Sequence, residues 1–414
     1  MTTTTPAPGL LAWRNAIFLI FALPGIAMAT WVSRLPAVRD ALEIRIDQVG
    51  ILVFGIAAGS IIGLVLSGHI VAWLGARTTM LLGTLVIAVG IAIAGVGATV
   101  GPVYGVTFGG LVVLGFASGI TDVAMNVSGA ANERALGRSI MPVFHAFFSF
   151  GTMLGAGLGA LAEAFGVPIA VHLGVIAVVM AGSILAAVRF VPRDTGAEAE
   201  HAEESTTWRE RLAIWRDPRT LLVGVVVLAA AFAEGSANDW LALAMVDGHG
   251  VPNATGALVF GVFVTAMTAG RLGGVVLLDR FGRVPVLRAS FLLAAVGLLL
   301  IIVVPNPWVA TAGAVLWGLG AALGFPVGMS AAADDPRTAA ARVSAVATIG
   351  YFAFLVGPPV IGFLGHQVGI LPALLVVLIL CAIGLIVAGA TRPPATATAA
   401  SETDTFADPG VPRA

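Results

Sequence analysis

Lysine is missing from this chain altogether, cysteine occurs once, and only 10 % of the 414 residues are charged. Each shortage excludes something. So few charges cannot cover the surface of a soluble domain of this length, which leaves a polytopic membrane protein. The 21 cations and 22 carboxylates leave a formal net charge of −1, so nothing draws the chain to nucleic acid. Cys381 stands alone in an apolar run, so no internal disulfide can form and metal ligation is not expected. The histidines show no metal-ligand spacing. The absence of lysine reads as codon usage rather than function. No glycine-rich strand–loop–helix phosphate cradle is present, and no nucleophile–base constellation. The chain is therefore not expected to be an enzyme, to take a cofactor or to be driven by ATP.

What is there is hydrocarbon: 58 % of the residues are hydrophobic and the mean hydropathy is +1.01. Runs long enough to cross roughly 30 Å of bilayer core lie near 15–34, 48–72, 78–98, 103–128, 139–163 and 168–190. Six more follow near 219–246, 253–278, 285–304, 307–330, 339–366 and 370–390. Lipid offers no partner to a backbone amide, so these runs must be helices. The expected fold is an all-α membrane protein of twelve transmembrane helices. Its parts are a tail (1–14), a first six-helix bundle (15–190), a central loop (191–218), a second six-helix bundle (219–391) and a second tail (392–414). The first run, Ala16 to Val32, reads as a retained helix rather than a cleaved signal. Residues 209–219, with Trp208, Leu212, Ile214 and Trp215, read as an amphipathic interfacial segment leading into the seventh span.

Arginine orients the chain. With the N-terminus inside, one side collects Arg14, Arg77, Arg134, Arg138, Arg280, Arg283, Arg288, Arg337, Arg342, Arg392 and the central-loop arginines. The other side keeps Arg34, Arg39 and Arg45, beside Asp40, Glu43 and Asp47. That asymmetry predicts a multi-pass protein of the cell (inner) membrane with both termini cytoplasmic.

The two halves repeat. GILVFG at 50–55 matches GALVFG at 256–261, and WLGAR at 73–77 matches RFGR at 280–283. ATW at 29–31 matches NDW at 238–240, and LGFASG at 114–119 matches WGLGAA at 317–322. Two parallel six-helix repeats about an axis along the membrane normal form a transporter arrangement.

With these features the chain resembles the major facilitator superfamily over its full length, and within it the fucose-permease-like branch. The branch's acid-x-x-x-Asn of the fourth helix stands here as Asp122-Val-Ala-Met-Asn126. Its fifth-helix pattern stands as His145-Ala-Phe-Phe-Ser-Phe-Gly151, and its seventh-helix Glu and Trp as Glu234 and Trp240. The superfamily's signature loop is degenerate in the first half, where Ala72 and Trp73 replace Asp-Arg between Gly68 and Gly75. The second-half copy is better kept, as Asp279-Arg280-Phe281-Gly282-Arg283. The resemblance implies a cavity lined chiefly by helices 1, 4, 7 and 10, with Asp122, Asn126, Glu234, Asn238, Trp31 and Trp240 at it. It also implies that Asp279, Arg280, Gly282 and Arg283 gate the inner ends of the helices.

Individual residues carry alternatives. Asp122 is a proton carrier or a packing carboxylate; an acid inside a bilayer is functional by default, and its repeat partner is the apolar Phe325. Glu234 and Asn238 form a solute clamp, or Glu234 pairs with Arg271 of the eighth helix. Asp239 lies nearer the outer end and is expected to be solvated. His145 relays a proton to Asp122, hydrogen-bonds solute, or is a satisfied core histidine. Trp31 and Trp240 stack on a sugar ring or anchor helices at the interface. The leading reading is a monomeric secondary transporter that moves a small polar, sugar-like solute with protons. The alternatives are proton-coupled efflux of an amphipathic compound and a sensor or scaffold of the same shape that moves nothing.

Overall fold

The computed structural model describes residues 8–137, 140–193, 214–335 and 338–393. Arg138, Arg337, residues 209–213 of the expected interfacial segment with Trp208, residues 1–7 and residues 394–414 lie outside that set. The described residues are helical, and their helices are α1 (Pro8–Ser33), a short α2 (Leu35–Leu42), α3 (Ile46–Thr99), α4 (Tyr104–Leu136), α5 (Met141–Ala164) and α6 (Ile169–Ala187). The second half supplies α7 (Pro218–Leu243), α8 (Asn253–Phe281), α9 (Arg283–Val303), α10 (Pro307–Ala321), α11 (Gly324–Ala332), α12 (Ala339–Val368), α13 (Ile370–Ala373) and α14 (Leu375–Val387).

Among the described residues, eleven helical stretches are long and apolar enough to cross a membrane. One of them, α3, has 54 residues, about 81 Å at 1.5 Å per residue and more than twice the bilayer core. It crosses twice, reversing at Gly75, whose φ of 76° and ψ of 154° leave the helix. A left-handed φ costs glycine little and any residue with a Cβ more. Gly282 makes the matching turn between α8 and α9 with the same φ of 76°.

Packing shows the repeat in three dimensions. The first arm of α3 runs parallel to α4: Gly59 lies against Val112 and Gly63 against Phe116. The second arm runs antiparallel to it, with Gly83 at Thr121 and Gly90 at Leu114. The second half uses the same scheme. There α10 runs parallel to α8, with Gly318 at Phe263, and antiparallel to α9, with Gly297 at Gly313. Without a hydrophobic drive between helices in lipid, small residues at these crossings let the backbones make close contact.

The halves meet along a seam on the face opposite the termini. A Cβ on Gly50 of α3 would sit 2.6 Å from the Pro358 carbonyl oxygen of α12. Gly362 packs on Ile46, and Gly261 of α8 sits by Ala156 of α5. Beside the seam Arg39 of α2 pairs with Asp247, in the π-turn after α7. Asn253 Nδ2 donates to Asp40 Oδ2 at 3.0 Å. Burial works against the Arg39 charge, but Asp247 and Asp40 outweigh it and hold the guanidinium above its ordinary pKa. The face opposite the termini is therefore closed and latched. On that same face Arg34 Nε stands 3.1 Å from Glu163 and Arg34 Nη2 donates to Val167 O at 2.8 Å, tying α1 to the α5–α6 turn.

A bulky residue at Gly50 should prise this seam apart. Gly50→Val is expected to favour the state open on the latched face, exposing a cysteine placed at Ile361, which is fully buried here. The sole native thiol, Cys381, is itself buried and leaves the background clean. A membrane-impermeant maleimide reads the shift; equal labelling with and without Gly50→Val would show that the seam does not control closure.

Candidate functional site

The fourth helix carries its acid where the sequence places it. Ser118, Asp122 and Asn126 recur every four residues on α4. Ser118 Oγ donates back to Leu114 O at 2.8 Å. Asn126 Nδ2 donates to the Asp122 carbonyl at 2.8 Å and reaches its carboxylate at 3.4 Å. Asp122 is exposed, and among the described residues no cation pairs with it. It is within electrostatic reach of Tyr351 on α12, in the other half. The carboxylate therefore faces the space between the halves rather than a neighbouring helix.

Glu234 stands differently. Arg271 Nη2 donates to both of its oxygens, at 2.8 and 2.9 Å. Arg271 Nε also reaches Ala322 O at 3.4 Å, where the tenth span breaks between α10 and α11 and leaves carbonyls without an intrahelical partner. The acid on α7 is thus neutralised by a cation on α8, whereas the acid on α4 is not. Asn238, one turn beyond Glu234, is half-buried.

His145 on α5 is exposed, sits edge-on to Phe21 with 5.3 Å between centroids, and is in electrostatic reach of Arg271. The structure brings it to the Arg271 side of the cavity rather than into contact with Asp122. Trp31 and Trp240 are fully buried, and among the described residues neither indole nitrogen has a hydrogen-bond partner. Trp240 packs near Gly362, inside the closed seam, so in this state neither ring lines an open cavity or sits at a lipid interface. Asp239 departs from expectation. It is buried rather than solvated, at 8 % exposure, because closure of the halves seals the end of α7.

The signature turn holds together through an acid that motif reasoning overlooked. Asp334, at the end of α11, bridges Arg283 at 2.7 Å and Arg219 at 2.7 Å. Arg283 also donates to Ser330 Oγ. Asp279 and Arg280 are exposed, and Arg280 lies over the Phe281 ring. Glu133 caps the start of α5, accepting from the amides of Ile140 at 2.6 Å and Met141 at 2.7 Å. Two surface clefts lie apart from Asp122 and Glu234, the second of them bordered by the Phe281 ring of the signature turn. One is about 300 Å³ beside Gly75, Arg77 and Arg193; the other is about 460 Å³ and lies along α8 and α9.

Two bundles, a seam closed on one face and titratable groups facing the space between them match a known architecture. The Major Facilitator Superfamily profile matches residues 16–277 and 226–411. The chain belongs to the major facilitator superfamily. Over 358 residues it is 32 % identical to an uncharacterized transporter of Sinorhizobium fredii, covering 86 % of this chain and 92 % of that one. Among solved structures, the nucleoside transporter NupG superposes with a TM-score of 0.74 at 17 % identity, over 92 % of this chain and 98 % of its own. The Escherichia coli fucose:proton symporter FucP superposes with a TM-score of 0.61 at 17 % identity, over 94 % and 100 %. At that identity these likenesses establish the fold. The chain is a multi-pass membrane transporter of this superfamily, not an enzyme.

Proposed function

We propose that this superfamily member moves a small polar, sugar-like solute by alternating access and couples that movement to protons at Asp122. One observation carries the reading: Asp122 is exposed between the halves with no cation among the described residues paired to it, while Glu234 has Arg271. A carboxylate in that setting is costly unless it is wetted or protonated. Alternating access gives it two environments of different proton affinity, and that difference is what coupling requires. Asn126 tunes the carboxylate from one turn away. His145, Glu234, Asn238 and Arg271 supply donors and acceptors for the solute on the facing helices. Trp31 and Trp240 come into play when the latched face opens. Arg283, Gly282 and the Asp279–Arg280 pair form the gate on the terminal face. NupG and FucP, a nucleoside transporter and a fucose:proton symporter by name, support a sugar-like cargo on this fold. Uptake into proteoliposomes under an imposed pH gradient, screened over many polar solutes, tests the whole; no solute accumulated under any gradient would sink it.

The arginine asymmetry supports a terminal face on the cytoplasmic side of the inner membrane, and we take the transporting unit to be a single chain. A reporter fused after Thr391 is then expected to read cytoplasm, and one in the 40–46 turn the outside. The reverse pattern would invert the orientation, putting the latch of Arg39 and Asp247 on the cytoplasmic side.

A further inference from the structure

The second half carries a feature that none of the site residues above explains. Tyr351 on α12 is 40 % exposed although it lies in the middle of a span. Among the described residues its hydroxyl has no hydrogen-bond partner, and the charge of Asp122 reaches it from across the cavity. Two further rings flank it. Phe325, at the start of α11, is 6.3 Å away between centroids, and Phe354, one turn along α12, is 6.5 Å away. Together they make an aromatic wall on one half facing a polar strip, Asp122 and Asn126, on the other.

The repeat accounts for its position. His145-Ala-Phe-Phe-Ser-Phe-Gly151 on α5 and Tyr351-Phe-Ala-Phe-Leu-Val-Gly357 on α12 align position for position. Tyr351 is the pseudo-symmetry mate of His145, Phe354 of Phe148, and Gly357 of Gly151. Phe325 is in turn the mate of Asp122. The two-fold arrangement thus sets an acid against a tyrosine on one side of the axis. On the other side the acid is exchanged for a phenylalanine and the tyrosine for a histidine.

We infer that Tyr351, backed by Phe325 and Phe354, is a solute-contacting residue that selects ring-shaped polar molecules. Their flat apolar face lies on the aromatic wall and their hydroxyl-bearing rim meets Tyr351 Oη and the Asp122–Asn126 strip. This rests on the reading of the central cavity as the transport site and adds its specificity. The physical basis is that an aromatic face recognises rings through contact area and quadrupole complementarity. An open polyol chain of the same hydroxyl count has no face to offer. The free phenol supplies one donor and one acceptor, so a ring with hydroxyl or amide groups on its edge satisfies it better than an amphipath with an apolar tail.

The test uses full-length protein in detergent and four probes: fucose, uridine, myo-inositol and the acyclic mannitol. The expected result is that at least one ring probe binds the parent and mannitol does not. Tyr351→Ala then weakens that probe about tenfold or more. Tyr351→Phe keeps the wall and weakens it only about threefold. Retention of the fold by Tyr351→Phe separates lost contact from lost structure. Binding of mannitol alone, of none of the rings, or of a ring equally by parent and Tyr351→Ala overturns the inference. Asp122→Asn, run in parallel in proteoliposomes, separates the two proposals. A ring that depends on Tyr351 but never follows a pH gradient leaves this inference standing and removes proton coupling. A solute that follows the gradient without needing Tyr351 does the opposite.

Discussion

Asp122→Asn is expected to bind solute and exchange it across the membrane, yet to lose all accumulation driven by a pH gradient. The change keeps the side chain's volume, and the amide still bonds to Asn126, which reaches Asp122 at 3.4 Å in the parent. What it removes is the ability to take and release a proton. One pH unit across the membrane is worth about 1.4 kcal/mol per proton, enough for about tenfold accumulation in the parent and none in the variant. Counterflow, in which labelled solute exchanges against unlabelled without a gradient, should survive. The measurement is the ratio of internal to external solute in proteoliposomes under an imposed gradient, set beside counterflow in the same vesicles. A variant that still concentrates solute tenfold would make Asp122 structural and pass the role to Glu234.

The second large effect is expected at the ion pair of α7 and α8. Arg271→Met leaves the Glu234 carboxylate in mid-bilayer without the two hydrogen bonds, 2.8 and 2.9 Å long, that neutralise it. Breaking a buried pair by removing one partner costs about 3–5 kcal/mol. Here the side chains are 31 % and 18 % exposed, so water lowers that to about 2 kcal/mol. The melting temperature in detergent should fall, and transport with it. Removing both charges together, as Glu234→Gln with Arg271→Met, should return most of the stability because no charge is then left uncompensated. Transport should stay impaired if the pair also holds solute and recover if it is only structural. An Arg271→Met protein as stable as the parent would show that the pair adds nothing to stability.

Class, crossings and internal symmetry were legible because each is a sum along the chain. The scarcity of charge and the hydropathy of each run decide whether a stretch lies in lipid, and a repeat in sequence implies a repeat in space. The close crossings at Gly59, Gly63, Gly115 and Gly119 rest on an equally local fact, since backbone can meet backbone only where no Cβ intervenes. The acid of α4 was equally plain, because a lone Asp in an apolar run has a cost wherever the helix packs. The facing of side chains across the cavity was a different matter. Whether Glu234 meets solute or Arg271, whether His145 serves Asp122 or lies beside Arg271, and whether Trp31, Trp240 and Asp239 are wet or sealed all depend on helix rotation and on which face of the molecule is closed. Those are pairwise relations between residues far apart in sequence. The carboxylate holding the signature turn proved to be Asp334, at the end of another helix, rather than Asp279 within the motif. Tyr351, in the repeat position of His145, is marked out only by its exposure within a span and its electrostatic contact with Asp122. Sequence by itself determined that this chain spans a bilayer as two related bundles with costly acids inside them, Asp122 in the first and Glu234 in the second. Tertiary structure decided which charges are cancelled and which stay open to the cavity, because the energy of a charge in a membrane is set by its nearest partner and by whether water can reach it.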